Sequence, residues 1–106
     1  MRIATFNCNS VRSRLDTVLG WLADHAPDVL CLQETKVQDA EFPADAFRLA
    51  GWHVAFQGEK SYNGVALVSR TAPDVVSFGL DSDPADPTRL VHARFGQLHV
   101  VNTYVP

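Results

Sequence analysis

A chain of 106 residues with 46% hydrophobic and 20% charged side chains has the make-up of one small globular unit. Its formal charge of −3 argues against a general polybasic binder of nucleic acid, because sequence-independent affinity for phosphate comes mainly from Lys and Arg; a local basic groove is left open. No charged region followed by an apolar one opens the chain, and no stretch approaches the roughly 18 apolar residues of a membrane span, so the expectation is a cytoplasmic protein with no membrane partner.

Residues 1–6 are short, apolar and β-prone, and run into the polar cluster Asn7-Cys8-Asn9-Ser10, a strand ending in a loop. Leu15, Val18, Leu19, Leu22 and Ala26 then recur at helical spacing, which predicts a helix over about 13–25 with Ser13 as N-cap and Pro27 closing it. Residues 28–32 (DVLCL) read as a buried strand, so residues 2–33 form a β-α-β unit with parallel strands. Parallel neighbours lie about 4.8 Å apart, and the strand ends at Asn7 and at Gln33-Glu34 therefore emerge side by side.

A short helix is predicted over 43–49, between Pro43 and Gly51. Beyond it the pattern turns to short β-rich runs at 52–56, 65–69, 75–78, 90–95 and 98–104. The turn-formers Tyr62-Asn63-Gly64, Ala72-Pro73-Asp74 and Phe95-Gly96-Gln97 separate them, and the expectation is an antiparallel meander continuing the same sheet. The stretch 79–88 reads as a polar, proline-bearing loop. Cys8 and Cys31 fall in apolar runs rather than in zinc-ligand spacing and read as buried thiols of a reducing compartment. The four histidines, His25, His53, His92 and His99, show no metal-ligand spacing in the sequence, and the helix dipole accounts for His25.

The stretch Leu32-Gln33-Glu34-Thr35-Lys36 carries the most chemistry. A carboxylate at the end of a buried strand, beside the loop bearing Asn7, is an oxygen ligand of the kind Mg²⁺ takes. Taken alone, a strand-end glutamate is as readily a solvated surface group. The wider constellation decides: MRIATFNCNSVRSR, PDVLCLQETK, SYNGVALVSR and HVVNTYVP follow one another across nearly the whole chain. With these blocks, in this order, the sequence resembles the exonuclease III and apurinic/apyrimidinic endonuclease family of DNA-repair nucleases.

The resemblance implies an α/β fold, the N-terminal half of a four-layer α/β sandwich contributing one mixed β-sheet with helices on one face. It implies residues 1–106 as the N-terminal part of an endonuclease/exonuclease/phosphatase domain, truncated at its C-terminus. Glu34 then binds a catalytic divalent ion, Mg²⁺ or Mn²⁺. Asn7 belongs to the metal and phosphate network, and Tyr104 donates to the scissile phosphate or assists proton movement. Asn9 stands where some relatives carry aspartate and others asparagine. Lys36, Arg12, Arg14, Tyr62, Asn63 and Arg89 are the implied phosphate and DNA contacts, the last three in loops. The implied substrate is double-stranded DNA with abasic sites or 3′ ends. Other readings are an RNA- or phosphoinositide-cleaving phosphodiesterase of the same superfamily, or a non-catalytic binding or regulatory member. The groups that activate water in such enzymes lie beyond Pro106, so the chain alone is expected to be inert, with a sheet face exposed for self-association.

Overall fold

The parallel β-α-β unit forms as the sequence predicts. In the computed structural model, which describes residues 1–79 and 86–106, strand β1 (Ile3–Asn7) pairs in parallel with β2 (Val29–Gln33), from Ile3 opposite Val29 to Asn7 opposite Gln33. Helix α1 (Leu15–His25) crosses between them. Its N-cap position is Arg14, not Ser13, and no side chain caps it. Ser13 instead closes a local turn in which its backbone N–H donates to Ser10 Oγ. Ala26, in the left-handed region, ends the helix by donating its N–H to Leu22 O.

A single 3₁₀ turn (Asp39–Glu41) and the short helix α2 (Ala44–Leu49) lead into the antiparallel hairpin β3 (His53–Glu59) and β4 (Tyr62–Ser69). β4 also pairs antiparallel with β2, which gives a mixed sheet of order β1-β2-β4-β3. β2 and β4 are central and apolar on both faces, as buried strands must be. Leu30, Leu32, Ala66 and Val68 pack under α1 and α2 against Val18, Leu22 and Phe47, each of which is buried. Leu22, Leu32 and Phe47 are almost wholly removed from water, and each such side chain contributes about 1.5–3 kcal/mol.

The remaining strands do not continue this sheet. β5 (Val75–Phe78), β6 (Leu90–Phe95) and β7 (Leu98–Thr103) form a second, antiparallel sheet of order β5-β6-β7. Its inner face, Val91, Ala93 and Val100 with Val76 and Phe78, packs on Val29, Cys31, Val65 and Leu67 of the first. The layers are helices, mixed sheet, antiparallel sheet. The sheet face expected to be exposed is therefore covered, because β5–β7 fold back over it instead of extending it. Most of the predicted polar loop, residues 80–85, lies outside the described residues.

Both cysteines are buried and unpaired, and burial pushes each thiol up to about 11. The folded chain therefore keeps its protons where an unfolded thiol, near 9, has begun to lose them. Stability is unaffected by these groups below about pH 8.5 and falls as pH climbs through 9 towards 11. A thiol reagent at pH 8 should label neither residue until denaturant is added; stoichiometric labelling of native protein would show that the thiols are not enclosed.

The edges of the two sheets differ. β3 carries a register shift between Gln57 and Glu59, and β5 is only four residues long and follows Pro73-Asp74. Both are devices that discourage further pairing. β1 (IATFN) and β7 (LHVVNT) have no Lys, Arg, Asp, Glu or Pro, and among the described residues neither has a strand on its outer side. Ile3, Phe6 and Val101 are exposed there, and a slot of about 440 Å³ opens between the two strands, lined by Ile3, Thr5, Gln33, His99 and Val101 among others.

Candidate active site

The predicted residues converge on one end of the sandwich. β1 and β2 end there at Asn7 and Gln33, and β4, antiparallel to β2, begins there at Tyr62. Residues 88 and 89 join the same end, because Gly64 N–H donates to Thr88 O and Tyr104 N–H donates to Arg89 O.

The segment Glu34-Thr35-Lys36 is held between two backbones. On one side Ser10 N–H donates to Glu34 O and Val11 N–H to Thr35 O, at 2.8 and 3.0 Å. On the other, Thr35 N–H donates to Gly64 O and Lys36 N–H to Asn63 O. Glu34 and Lys36 both occupy the left-handed region, with φ of 56° and 58°, a conformation neither residue type favours. Thr35 between them is buried. The staples thus hold a strained backbone that turns both charged side chains to the same opening.

Glu34 Oε1 accepts from the Tyr104 hydroxyl at 3.2 Å and lies 3.8 Å from Lys36 Nζ. Lys36 Nζ also donates to Asn9 Oδ1 at 2.6 Å. Partial burial and the hydrogen bond to Glu34 hold the Tyr104 phenol above its ordinary value, so it keeps its proton at neutral pH. Asn7 acts locally, its Oδ1 accepting from Asn9 N–H at 3.2 Å and fixing the loop.

The outer residues are more neutralised than a free basic rim. Arg12 pairs with Glu41 at 3.2 Å and Arg89 with Asp86 at 2.5 Å. Arg14 precedes α1, and its charge acts on Cys8 together with those of Glu34 and Lys36. Tyr62 and Asn63 do not form a loop: they open β4, with Tyr62 strongly exposed and Asn63 left-handed. The true hairpin tip is Lys60-Ser61, drawn to the site by Ser61 N–H donating to Lys36 O.

Asn102 is not among the residues to which the sequence points. It is buried between the sheets, donates to Leu32 O and Ala66 O at 2.9 Å each, and accepts from Gln33 Nε2 at 2.8 Å. Gln33 also reaches Thr5 Oγ1. The network joins β7, which leads to Tyr104, to β2, which leads to Glu34. A signal existed: a polar amide at the inward parity of Val100 in an otherwise β-rich run. Asn102→Ala should cost about 2–4 kcal/mol in urea denaturation, since it removes three bonds of a buried side chain, two to carbonyls and one from Gln33. An unchanged midpoint would refute that role.

A hard dication takes one or two carboxylates, neutral oxygens and water. The Glu34 carboxylate is an oxygen donor of that kind, and Asn7, opposite Gln33 at the adjoining strand end, brings an amide oxygen to the same end of the sandwich, where it also accepts from Asn9 N–H. Among the described residues no group of three or more His, Cys, Asp or Glu forms a metal cluster.

Residues 4–106 match the Endonuclease/Exonuclease/phosphatase family. The chain belongs to that family. Over its full length it is 34% identical to exodeoxyribonuclease III of Haemophilus influenzae and spans 42% of that relative. It superposes on an AP endonuclease from Archaeoglobus fulgidus with TM-score 0.95 at 53% identity, covering 100% of this chain and 41% of that one. A 3′ phosphatase from Neisseria bound to product DNA hairpin gives TM-score 0.92 at 47% identity, over 98% of this chain and 41% of its own. The chain thus spans about two-fifths of the length of these relatives, whose fold it shares.

Proposed function

We propose that this chain supplies the metal and phosphate side of a DNA-repair phosphodiesterase that hydrolyses DNA at abasic sites or 3′ ends. The observation that carries the reading is the Glu34 carboxylate, held at a strand end between the Tyr104 hydroxyl and the Lys36 ammonium in a chain of this family. A bound Mg²⁺ or Mn²⁺ supplies charge neutralisation at the phosphate. Glu34, with Asn7, holds that ion. Tyr104 keeps its proton and offers it to a phosphoryl oxygen, and Lys36 stabilises the negative charge that gathers there. Arg14, Tyr62 and Asn63 meet the DNA backbone, and Arg12 and Arg89 join them by exchanging Glu41 and Asp86 for phosphate.

The reading is tested with two polypeptides. The 106-residue chain alone is expected to be inert on an abasic duplex. Joined to the remainder of the Archaeoglobus relative, it is expected to cleave that duplex when Mg²⁺ is added. Cleavage of a phosphoinositide or RNA in preference to DNA, or no cleavage by a folded hybrid, refutes it. Self-association of the isolated chain is proposed to run through the unprotected edges β1 and β7, not through a sheet face, and sedimentation of a strictly monomeric species at high concentration would exclude it.

A further inference from the structure

Val91, Ala93 and Val100 face the interior of the antiparallel sheet, so His92 and His99 project from its opposite, outward face. On that face they lie diagonally across the β6–β7 hairpin, where His92 is opposite Val101 and His99 is opposite Arg94. Their rings come together with His92 Nε2 and His99 Nδ1 2.8 Å apart. The ring centroids are 5.0 Å apart and the planes only 22° from parallel. A separation of 5.0 Å is close to the nitrogen–nitrogen distance plus about 1.1 Å from each nitrogen to its ring centre, so the rings meet end to end rather than face to face. Two ring nitrogens therefore point into one gap, and a single proton between them satisfies only one as donor. A partly exposed bond of this kind adds little to stability.

The hairpin that sets this spacing is rigid. Its turn is two residues long, Gly96-Gln97, with Gly96 at φ 61°. Asp74 ties the turn down: its Oδ2 accepts from Gly96 N–H at 2.7 Å, and its own N–H donates to Arg94 O. The Arg94 guanidinium, carried on the residue opposite His99, is drawn to Gly96 O at 2.9 Å and towards Asp74. This limits the repulsion it exerts on a cation at the histidines.

We propose that His92 and His99 form a binding site for a transition-metal dication with imidazole preference, such as Zn²⁺, separate from the opening that holds Glu34. Zinc–imidazole bonds are about 2.0–2.1 Å long, and two of them at a tetrahedral angle place the nitrogens about 3.3 Å apart. Opening the 2.8 Å pair to that distance needs about half an ångström of separation and, because the rings meet end to end, a tilt of each by about 35° so that both nitrogen lone pairs converge on the ion, movements open to rings that border solvent. Imidazole nitrogens suit Zn²⁺, Ni²⁺ and Cu²⁺ rather than Mg²⁺, so the chemistry separates this site from a carboxylate and amide site. Water fills the remaining positions.

Titration of the 106-residue chain with Zn²⁺ alone, followed by NMR of the histidine rings and by calorimetry, tests the site. The expected result is one saturable ion per chain, with the His92 and His99 signals shifting together while those of His25 and His53 stay in place. His92→Gln and His99→Gln should each weaken binding about tenfold or more, because each removes half of a chelating pair. Glu34→Gln should leave it unchanged. Absence of saturable binding, binding unaltered in both histidine variants, or binding lost with Glu34→Gln would each overturn the proposal. Both variants alter exposed or half-exposed positions, and circular dichroism of each confirms that the sheet is kept.

Discussion

Glu34→Gln, made in the hybrid that joins residues 1–106 to the remainder of the Archaeoglobus relative, should lower kcat/KM on an abasic duplex by about 100- to 1000-fold. Glutamine keeps the shape and an oxygen to accept from Tyr104, but it removes the negative charge that sits 3.8 Å from Lys36 and that a dication requires. The Glu34 side chain is 22% exposed and its ion pair is partly solvated, so the fold should hardly notice. The distinguishing measurement is the Mg²⁺ dependence of the rate. The variant should need far more metal to reach its lower maximum, whereas a merely structural glutamate would leave that dependence alone. Activity within about threefold of the parent would remove Glu34 from the site.

Gly64→Ala should be severely damaging. Gly64 has φ of +97°, where an L side chain is strained, and an added Cβ would stand 1.9 Å from Thr35 Oγ1 and 3.2 Å from Lys36 N. Thr35 is 1% exposed and has no room to retreat. Strain and overpacking together predict a loss of about 3–5 kcal/mol, with displacement of the Glu34–Lys36 segment that Gly64 O helps to hold. Gly20→Ala is the natural counterpart. Gly20 lies in α1 with nothing within 4 Å of the added carbon, and alanine there should stabilise by about 0.5–1 kcal/mol. Thr35→Ala in the Gly64→Ala background should recover part of the loss, and strict additivity of the two changes would show that the contact is not the cause.

Much of the first sheet was legible because its signals are local. The stripe through Val18 and Leu22 is the stripe that α1 buries, and PDVLCL is a strand closed in on both faces. Caps were harder: Ser13 has the chemistry of an N-cap, but Ser10 stands three residues earlier and engages it first. The division into two sheets was missed because alternation says which side of a strand is buried, not what buries it. A difference was present, since VLCL and GVALV are apolar at every position whereas LVHARF alternates. The first pattern needs layers above and below, and the second needs only one.

At the site, Glu34, Lys36 and Tyr104 came from contiguous motifs, and the structure brings these three together. Tyr62-Asn63-Gly64 has the composition of a turn, because asparagine and glycine commonly make one. Here the same left-handed pair lets β4 approach Thr35 closely instead. Asn102 and Gln33 were missed since their partners are sixty-nine residues apart in the chain, a separation no local pattern reports.

The contrast between guarded and unguarded strand borders also bears on handling the polypeptide. A bulge on β3 and a short β5 give two borders their own protection, whereas β1 and β7 offer bare amide and carbonyl rows with Ile3 and Val101 in the open. Ile3→Lys would install the charge that nature uses as a gatekeeper, and it leaves Val101, the residue opposite His92, as it is. Such a variant offers a route to concentrated solutions of the isolated chain, in which ion binding can be followed without competing precipitation.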